Sequence, residues 1–216
     1  MEKLKLGVLI SGRGSNLQAL IEACKEPSYP AEIVLVISNR ANAGGLDWAQ
    51  EAGIRTEVIP HPRFPDREAF DGALDQALRA ASVGLVCLAG FMRLLTAGFA
   101  ERWRDRLINI HPSLLPSFKG LDAHAQALAA GVRISGCTVH FVRPEMDAGP
   151  IIVQAAVPVA SDDDESSLSA RILAAEHVCY PLAVKLIAEG RVSVSGNTTR
   201  IAKAPAPETA LISPAG

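Results

Sequence analysis

No stretch of this 216-residue sequence approaches the roughly 18 consecutive apolar residues of a membrane-spanning helix, although 49% of its residues are hydrophobic. A helical membrane anchor is therefore not expected. Met1 to Gly12 also lacks the pattern of a secretory signal, because its short apolar part runs straight into a Gly/Ser loop. There is no CxxC. Cys24, Cys87, Cys137 and Cys179 lie far apart and read as reduced, mostly buried thiols, not as bridges or a zinc site. These features together point to a cytoplasmic setting. The formal net charge is −2 with Lys and Arg scattered, so there is no basic stripe or tail, and double-stranded nucleic acid is not an expected partner. His111, His124, His140, Asp122 and Asp147 show no HExxH or other tight spacing, so no metal is expected. Internal repeats are absent as well.

What is present is enough apolar residue to bury roughly 70–75% of the unfolded surface, with one domain as the default at this length. Lys5 to Ser11 and Glu32 to Ser38 are continuous β-rich runs of the kind found in buried parallel strands. Between them Leu17, Leu20, Ile21 and Cys24 fall at i, i+3, i+4, i+7, a helical stripe. Leu46 to Glu51 reads as a short helix and Arg55 to Ile59 as a modest strand. Asp66 to Ala81 is the clearest helix, with Ala69, Phe70, Ala73, Leu74, Ala77 and Leu78 on one face. Gly84 to Ala89 reads as another buried strand, and Thr96 as the N-cap of a helix carrying Phe99 and Trp103. This βαβα rhythm predicts an α/β fold, a Rossmann-like, doubly wound, mostly parallel sheet. In the C-terminal half, Arg133 to Val142 and Ile151 to Val159 are strand-like, and the loop between them is too short for a helical crossover, which predicts an antiparallel pair. The acidic run Asp162 to Glu165 reads as the cap of a helix from about Ser166 to Glu189. A last short strand fits 191–196. Residues 1–196 are expected to form the single domain, and 197–216 a loosely held tail.

The densest chemistry lies in Leu107-Ile-Asn-Ile-His-Pro-Ser-Leu-Leu-Pro116. Asn109 and His111 are two apart on a strand and so share a face, and Pro112, which has no N–H, ends the pairing just beyond them. An amide donor and an imidazole are thus presented together at the carboxyl end of a strand, where open α/β sheets bind ligands. With an acidic partner such as Asp147 the pair suits acyl transfer to an amine: Asn109 donates to the oxyanion, His111 shuttles a proton, and the carboxylate favours the imidazolium. His140 is a further candidate for the same site or a structural strand residue. A second motif, Ser11-Gly-Arg-Gly-Ser-Asn16, joins the first strand to the first helix. It fails the GxGxxG dinucleotide fingerprint at Leu17 and lacks a P-loop Lys. A helix N-terminus flanked by glycines and by Ser15 and Asn16 fits a single phosphate group; the alternative is a tight turn in which Ser15 or Asn16 only caps the helix.

On Leu9 to Asn16, Val36-Ile-Ser-Asn39, Leu88-Ala-Gly-Phe-Met-Arg93, Asn109 to Pro116, Thr138-Val-His-Phe-Val142 and Asp147-Ala-Gly-Pro150, the chain resembles the folate-dependent formyltransferases over about Leu6 to Gly190. The Asn-x-His-Pro-Ser-Leu-Leu-Pro element is shared across that superfamily; the Ser-Gly-x-Gly-Ser-Asn loop resembles the members that act on glycinamide ribonucleotide. The resemblance implies 10-formyltetrahydrofolate as co-substrate and no metal. It implies Asn109, His111 and Asp147 as the catalytic trio, with Asp147 raising the pKa of His111. It implies Gly14, Ser15 and Asn16 at the substrate phosphate, and Glu176 at the ribonucleotide. Arg67, Met92, Arg93, Leu94, Leu95 and Asn109 are implied at the folate. Two departures stand out, apolar Leu173 near Glu176 and Pro144 in the 143–147 loop. A monomer or homodimer is expected. The alternatives are another formyltransferase of this type, a formyltetrahydrofolate hydrolase, or a non-catalytic nucleotide-binding module.

Overall fold

The apolar runs of the first half become strands, and the helical stripes between them become helices. The computed structural model describes residues 2–204 and 211–213. The first half runs β1 (Leu4–Ile10), α1 (Ser15–Lys25), β2 (Ala31–Ser38), α2 (Gly45–Glu51), β3 (Thr56–Val58), α3 (Arg67–Ala80), β4 (Leu85–Leu88), α4 (Ala97–Arg102) and β5 (Leu107–His111). The second runs α5 (Ala123–Ala129), β6 (Ile134–Phe141), β7 (Ile151–Pro158), α6 (Glu165–Ala188), β8 (Val192–Ser195) and β9 (Thr198–Ile201). The main sheet has the strand order β3-β2-β1-β4-β5-β6-β7. Strands β1 to β5 pair in parallel, and β6 and β7 antiparallel, as the sequence predicts. The chain divides into two compact units, 1–109 with 141–144, and 110–140 with 145 onward, so that β5 contributes to both. That division has no signature in composition.

Within the first unit the chain moves outward from β1 through β2 to β3, then returns to lay β4 on the other side of β1. This reversal makes a switch point at the carboxyl ends of β1 and β4, the place where loops of doubly wound sheets bind ligands. Fully buried Leu9, Leu35, Ile37, Leu74, Leu78, Val86, Phe99 and Leu107 belong to one core cluster, with Trp103 at 1% exposure. The Trp103 indole N–H is not wasted there, since it donates to Asp75 Oδ1 at 2.8 Å while the Arg106 guanidinium lies 4.9 Å above the ring. Helix α3 buries Phe70, Leu74, Ala77 and Leu78 as its periodicity predicts, but it also buries Asp71 completely. Thr96 caps α4 by accepting from the Phe99 N–H at 3.2 Å, a cap worth about 1 kcal/mol.

Within the second unit β6 and β7 keep an antiparallel register that shifts between Val139 and His140. Such an irregularity re-aims the side chain beside it. Helix α5 left no signal in the sequence: its buried residues are only Ala123 and Ala127, and its N-cap Asp122 is left-handed with no side-chain cap. The segment past Gly196, expected to be loose, begins instead with β9, which pairs with β8. It is tied further by Asn197 Nδ2 donating to the Ala148 carbonyl at 3.0 Å and by the Thr199 hydroxyl donating to the Ile151 carbonyl. Residues 205–210 and 214–216 of that segment lie outside the described residues. All four cysteines are unbridged, and Cys87, Cys137 and Cys179 are buried. Among the described residues no helix is long and apolar enough to cross a membrane.

The acidic run before α6 works as a cap. Asp164 accepts from the Ser167 N–H at 2.8 Å while the Ser167 hydroxyl accepts from the Asp164 N–H at 3.0 Å, a capping box. Asp163 takes Arg171 through two nitrogens at 2.7 and 3.0 Å. That guanidinium, with the Ala160 N–H and the Ser167 hydroxyl, holds the Asp163 carboxyl well below its ordinary value. A carboxyl depressed in the folded state contributes stability above its unfolded pKa, and the contribution is lost as pH falls toward the folded value. Asp163→Asn is therefore expected to lower the thermal midpoint at pH 7, with the gap to wild type narrowing below about pH 4, the ordinary carboxylate range. A gap that widens in acid contradicts this.

Candidate active site

Strand β5 ends at His111 because Pro112 cannot continue the ladder. His111 is 5% exposed, and both ring nitrogens face acceptors. Nε2 lies 2.8 Å from the Phe118 carbonyl, which only accepts, so this nitrogen carries a hydrogen. Nδ1 lies 3.5 Å from Asp147 Oδ2. The arrangement suits a ring protonated on both sides, the form that can give a proton away. Asp147 is fixed in turn: Oδ2 accepts from the Gly120 N–H at 2.9 Å, and Oδ1 lies 3.7 Å from His140 Nε2. Its backbone is left-handed, φ +50°, a conformation that Asp tolerates better than most residues. One carboxylate thus sits among two imidazoles and a backbone N–H. His140, 2% exposed, belongs to this cluster. Nearby His124 on α5 is pushed below its ordinary value, first by burial and then by the charge of His111, against an opposing pull from Glu165.

The segment between β5 and α5 is held by a buried network. Thr138 donates its hydroxyl to the Ser113 carbonyl at 2.7 Å and accepts from the Leu115 N–H at 3.0 Å. Gln154 Nε2 donates to that same hydroxyl oxygen at 3.0 Å and to the Leu115 carbonyl at 3.1 Å. Ser113, fully buried, donates to the Ser117 carbonyl at 2.6 Å. The loop that brings Phe118 and Gly120 to the two key side chains is therefore fixed from below. Glu176, on α6, is 6% exposed.

In the first unit, α1 starts at Ser15 with Gly14 as its left-handed N-cap, φ +76°, and no side-chain cap. Ser15 and Asn16 occupy the first two helical positions, so neither is the N-cap that the simpler reading of the turn assigned to them. Their backbone direction suits an anion at the helix N-terminus. Gly14 lies against the start of α2: a Cβ on it would stand 2.6 Å from Gly45 Cα, while the Gly45 N–H donates to the Gly12 carbonyl at 3.0 Å. After β4, the segment from Phe91 to Thr96 keeps its two ends buried and raises Met92 and Leu94 to 62% exposure each. Leu88 belongs to the core, and half-buried Leu95 packs against it. Arg67 is exposed at the first turn of α3. Among the described residues no group of three or more His, Cys, Asp or Glu is placed to hold a metal ion.

Residues 4–184 match the family model described as formyl transferase. The chain belongs to the formyl transferase family. It is 45% identical over 194 residues to the phosphoribosylglycinamide formyltransferase of Escherichia coli (strain K12), covering 90% of this chain and 92% of that protein. It is 54% identical over 196 residues to the trifunctional purine biosynthetic protein adenosine-3 of Bos taurus, where the match covers 91% of this chain. The chain spans only 19% of the length of that trifunctional relative. The crystal structure of glycinamide ribonucleotide transformylase 1 from Symbiobacterium toebii superimposes with a TM-score of 0.90 at 50% identity, covering 92% of this chain and 94% of that one. A mostly parallel sheet with an antiparallel pair toward the C-terminal end is thus the fold of this family member.

Of the residues anticipated from sequence, His111 and Asp147 are brought together directly, and Asn109 precedes His111 by two positions on β5. Gly14, Ser15 and Asn16 lie together at the start of α1. Sequence reasoning missed Gly120 and Phe118, whose contributions are backbone groups without a side-chain signature, and it missed Thr138 and Gln154 as supports. Thr138 and Gln154 face each other across the β6–β7 register, a pairing that alternation along both strands would have revealed. The glycine junction yields a stability prediction. Gly14→Ala combines a left-handed penalty of roughly 1–2 kcal/mol with the close approach to Gly45, and is expected to lower unfolding free energy by about 2 kcal/mol or more in urea titration. An unchanged midpoint refutes the close packing.

Proposed function

We propose that this chain transfers the formyl group of 10-formyltetrahydrofolate to the glycinamide amine of glycinamide ribonucleotide. The observation that carries the reading is the His111–Asp147 pair at the end of β5, in a chain that matches a phosphoribosylglycinamide formyltransferase over nearly its whole length. An N10 formyl group is already an activated acyl donor, so no covalent enzyme intermediate is required. The amine nitrogen attacks the formyl carbon, and the carbonyl electron pair moves onto oxygen. The Asn109 amide and the His111 Nε2–H donate to that oxygen, the kind of stabilisation aimed at charge that develops only in the transition state. As the tetrahedral intermediate collapses, the C–N10 bond breaks. The proton lost by the attacking nitrogen reaches N10 through His111 and solvent, leaving tetrahydrofolate and the formylated ribonucleotide. Asp147 orients the ring and balances its positive charge.

The other residues divide by ligand. Gly14, Ser15 and Asn16 hold the ribonucleotide phosphate at the N-terminus of α1, and Glu176 contacts the ribonucleotide. Arg67, Met92, Arg93, Leu94, Leu95 and Asn109 contact the folate, with Met92 and Leu94 offering apolar surface to the pterin. The Phe118 carbonyl takes the His111 Nε2–H in the structure, so the formyl oxygen replaces that carbonyl as acceptor when the donor binds.

The deciding assay is release of tetrahydrofolate with and without glycinamide ribonucleotide. Release that depends on the ribonucleotide is expected; equal rates identify a hydrolase and overturn the reading. His111→Ala should lower kcat by about 10²–10⁴-fold with the fold retained by circular dichroism. Near-normal turnover removes His111 from the mechanism. Asp147→Asn, which keeps the shape and loses the charge, should lower kcat by about ten- to a hundredfold, the worth of a hydrogen bond to a charged group; wild-type turnover would refute its role.

A further inference from the structure

We propose that Ser11, at the start of the Ser11–Asn16 loop, and the fully buried Asp71 are positioning residues that fix the segment Met92–Leu95 for the formyl donor. The proposal rests on the reading that this segment contacts the folate. Its two ends are each held by a backbone N–H. At the first, Ser11, 3% exposed just past the end of β1, accepts from the Met92 N–H at 2.8 Å. The direction of that bond is set by its neighbours. Asn39, 2% exposed just past β2, has Nδ2 at 3.2 Å from His61 Nδ1, and an amide nitrogen can only donate there. Its Oδ1 is therefore the atom turned to Ser11, and the Ser11 hydroxyl donates to it at 2.7 Å. The Ser11 hydrogen is committed to Asn39, which leaves the oxygen lone pair for Met92. The chain from His61 through Asn39 and Ser11 to Met92 runs in one sense across the carboxyl ends of β1 and β2, and it gives the Ser-Asn39 element of the sequence a purpose.

At the other end, Asp71 is fully buried on α3 and accepts from the Thr96 N–H at 2.7 Å. Burying a carboxylate is costly, and the second oxygen of Asp71 has no hydrogen-bond partner among the described residues. An isolated apolar residue at position 71 would serve the core of α3 better. What Asp71 supplies is a fixed anchor for Thr96, one residue past Leu95. With both ends tied, the backbone between them has little freedom, and Met92 and Leu94 stay raised to solvent at 62% exposure. Apolar surface held out in this way suits a flat aromatic ligand, and fixing it in advance reduces the ordering cost of binding.

Steady-state kinetics of the full chain, varying donor and acceptor separately, tests the idea alongside thermal midpoints. Ser11→Ala is expected to raise KM for 10-formyltetrahydrofolate by about tenfold, the worth of the hydrogen bond that fixes the Met92 N–H, while KM for the ribonucleotide stays within about twofold. Asp71→Ala should do the same, and Asp71→Asn, which keeps an acceptor oxygen, should restore most of the donor affinity. Should Asp71→Ala fail to fold, Ser11→Ala carries the test alone. A donor KM at the wild-type value in folded Ser11→Ala, or equal rises for both substrates, overturns the proposal. The double variant Met92→Ala/Leu94→Ala separates the layers. If it leaves donor KM unchanged, the segment is not the donor wall and both readings fall. If it raises donor KM and Ser11→Ala and Asp71→Ala do not, only the positioning role is wrong.

Discussion

The Asp147 carboxylate is the point on which the second unit's buried polar cluster depends. It lies 3.5 Å from His111 and 3.7 Å from His140, and it accepts a 2.9 Å hydrogen bond from the Gly120 N–H. A carboxylate only 11% exposed has lost most of its hydration and needs every one of these partners. Each partner is supplied by a different constraint. His111 comes from the proline-terminated end of β5, His140 from the register shift in β6, and Gly120 from a loop pinned through Thr138, Ser113 and Gln154. Loss of the charge removes the reason for the ring's orientation. The Phe118 carbonyl completes the arrangement by fixing a hydrogen on Nε2 of His111.

In the first unit the same logic is written in backbone groups. The switch point of the sheet puts two segments at the carboxyl ends of β1 and β4, the first shaped by a glycine and the second tied by its Met92 and Thr96 N–H groups to Ser11 and Asp71. Gly14 turns the chain into α1 in a left-handed conformation, and the absence of a Cβ lets α1 and α2 begin almost in contact. After β4, buried Phe91 and Thr96 bracket a short exposed stretch. Rigid strands thus carry loops that present N–H groups and apolar tips at the carboxyl edge, where sheets of this class bind ligands.

Much of this was legible in the residues. Continuous apolar runs give β1, β2 and β4 to within a residue or two of their ends, and the six-residue face of α3 gives its orientation. The short loop from 142 to 150 predicts the antiparallel β6–β7 pair. Asn109 and His111 are readable because a strand has a period of two and proline stops it. Asp147 is different: it stands far from His111 in the chain, so spacing could not fix it, and it was singled out by the polar loop it lies in and by resemblance to a known family. Asp71 and Ser11 were illegible for a physical reason. One sits on the apolar face of a helix and the other at the tail of an apolar strand, and each acts on a backbone N–H distant in sequence. Helix α5 was missed because small alanines fill its buried positions, and β9 because Thr-rich segments carry little apolar signal.

The geometry around His111 makes one assignment above all others, that Nε2 carries a hydrogen directed at the Phe118 carbonyl. Nitrogen-15 NMR of the imidazole in the unliganded protein at neutral pH reads this directly. The expected spectrum shows Nε2 in the protonated range, with the signal perturbed when 10-formyltetrahydrofolate is added. A ring protonated on Nδ1 alone, with Nε2 bare, would contradict the arrangement from which the chemistry is derived.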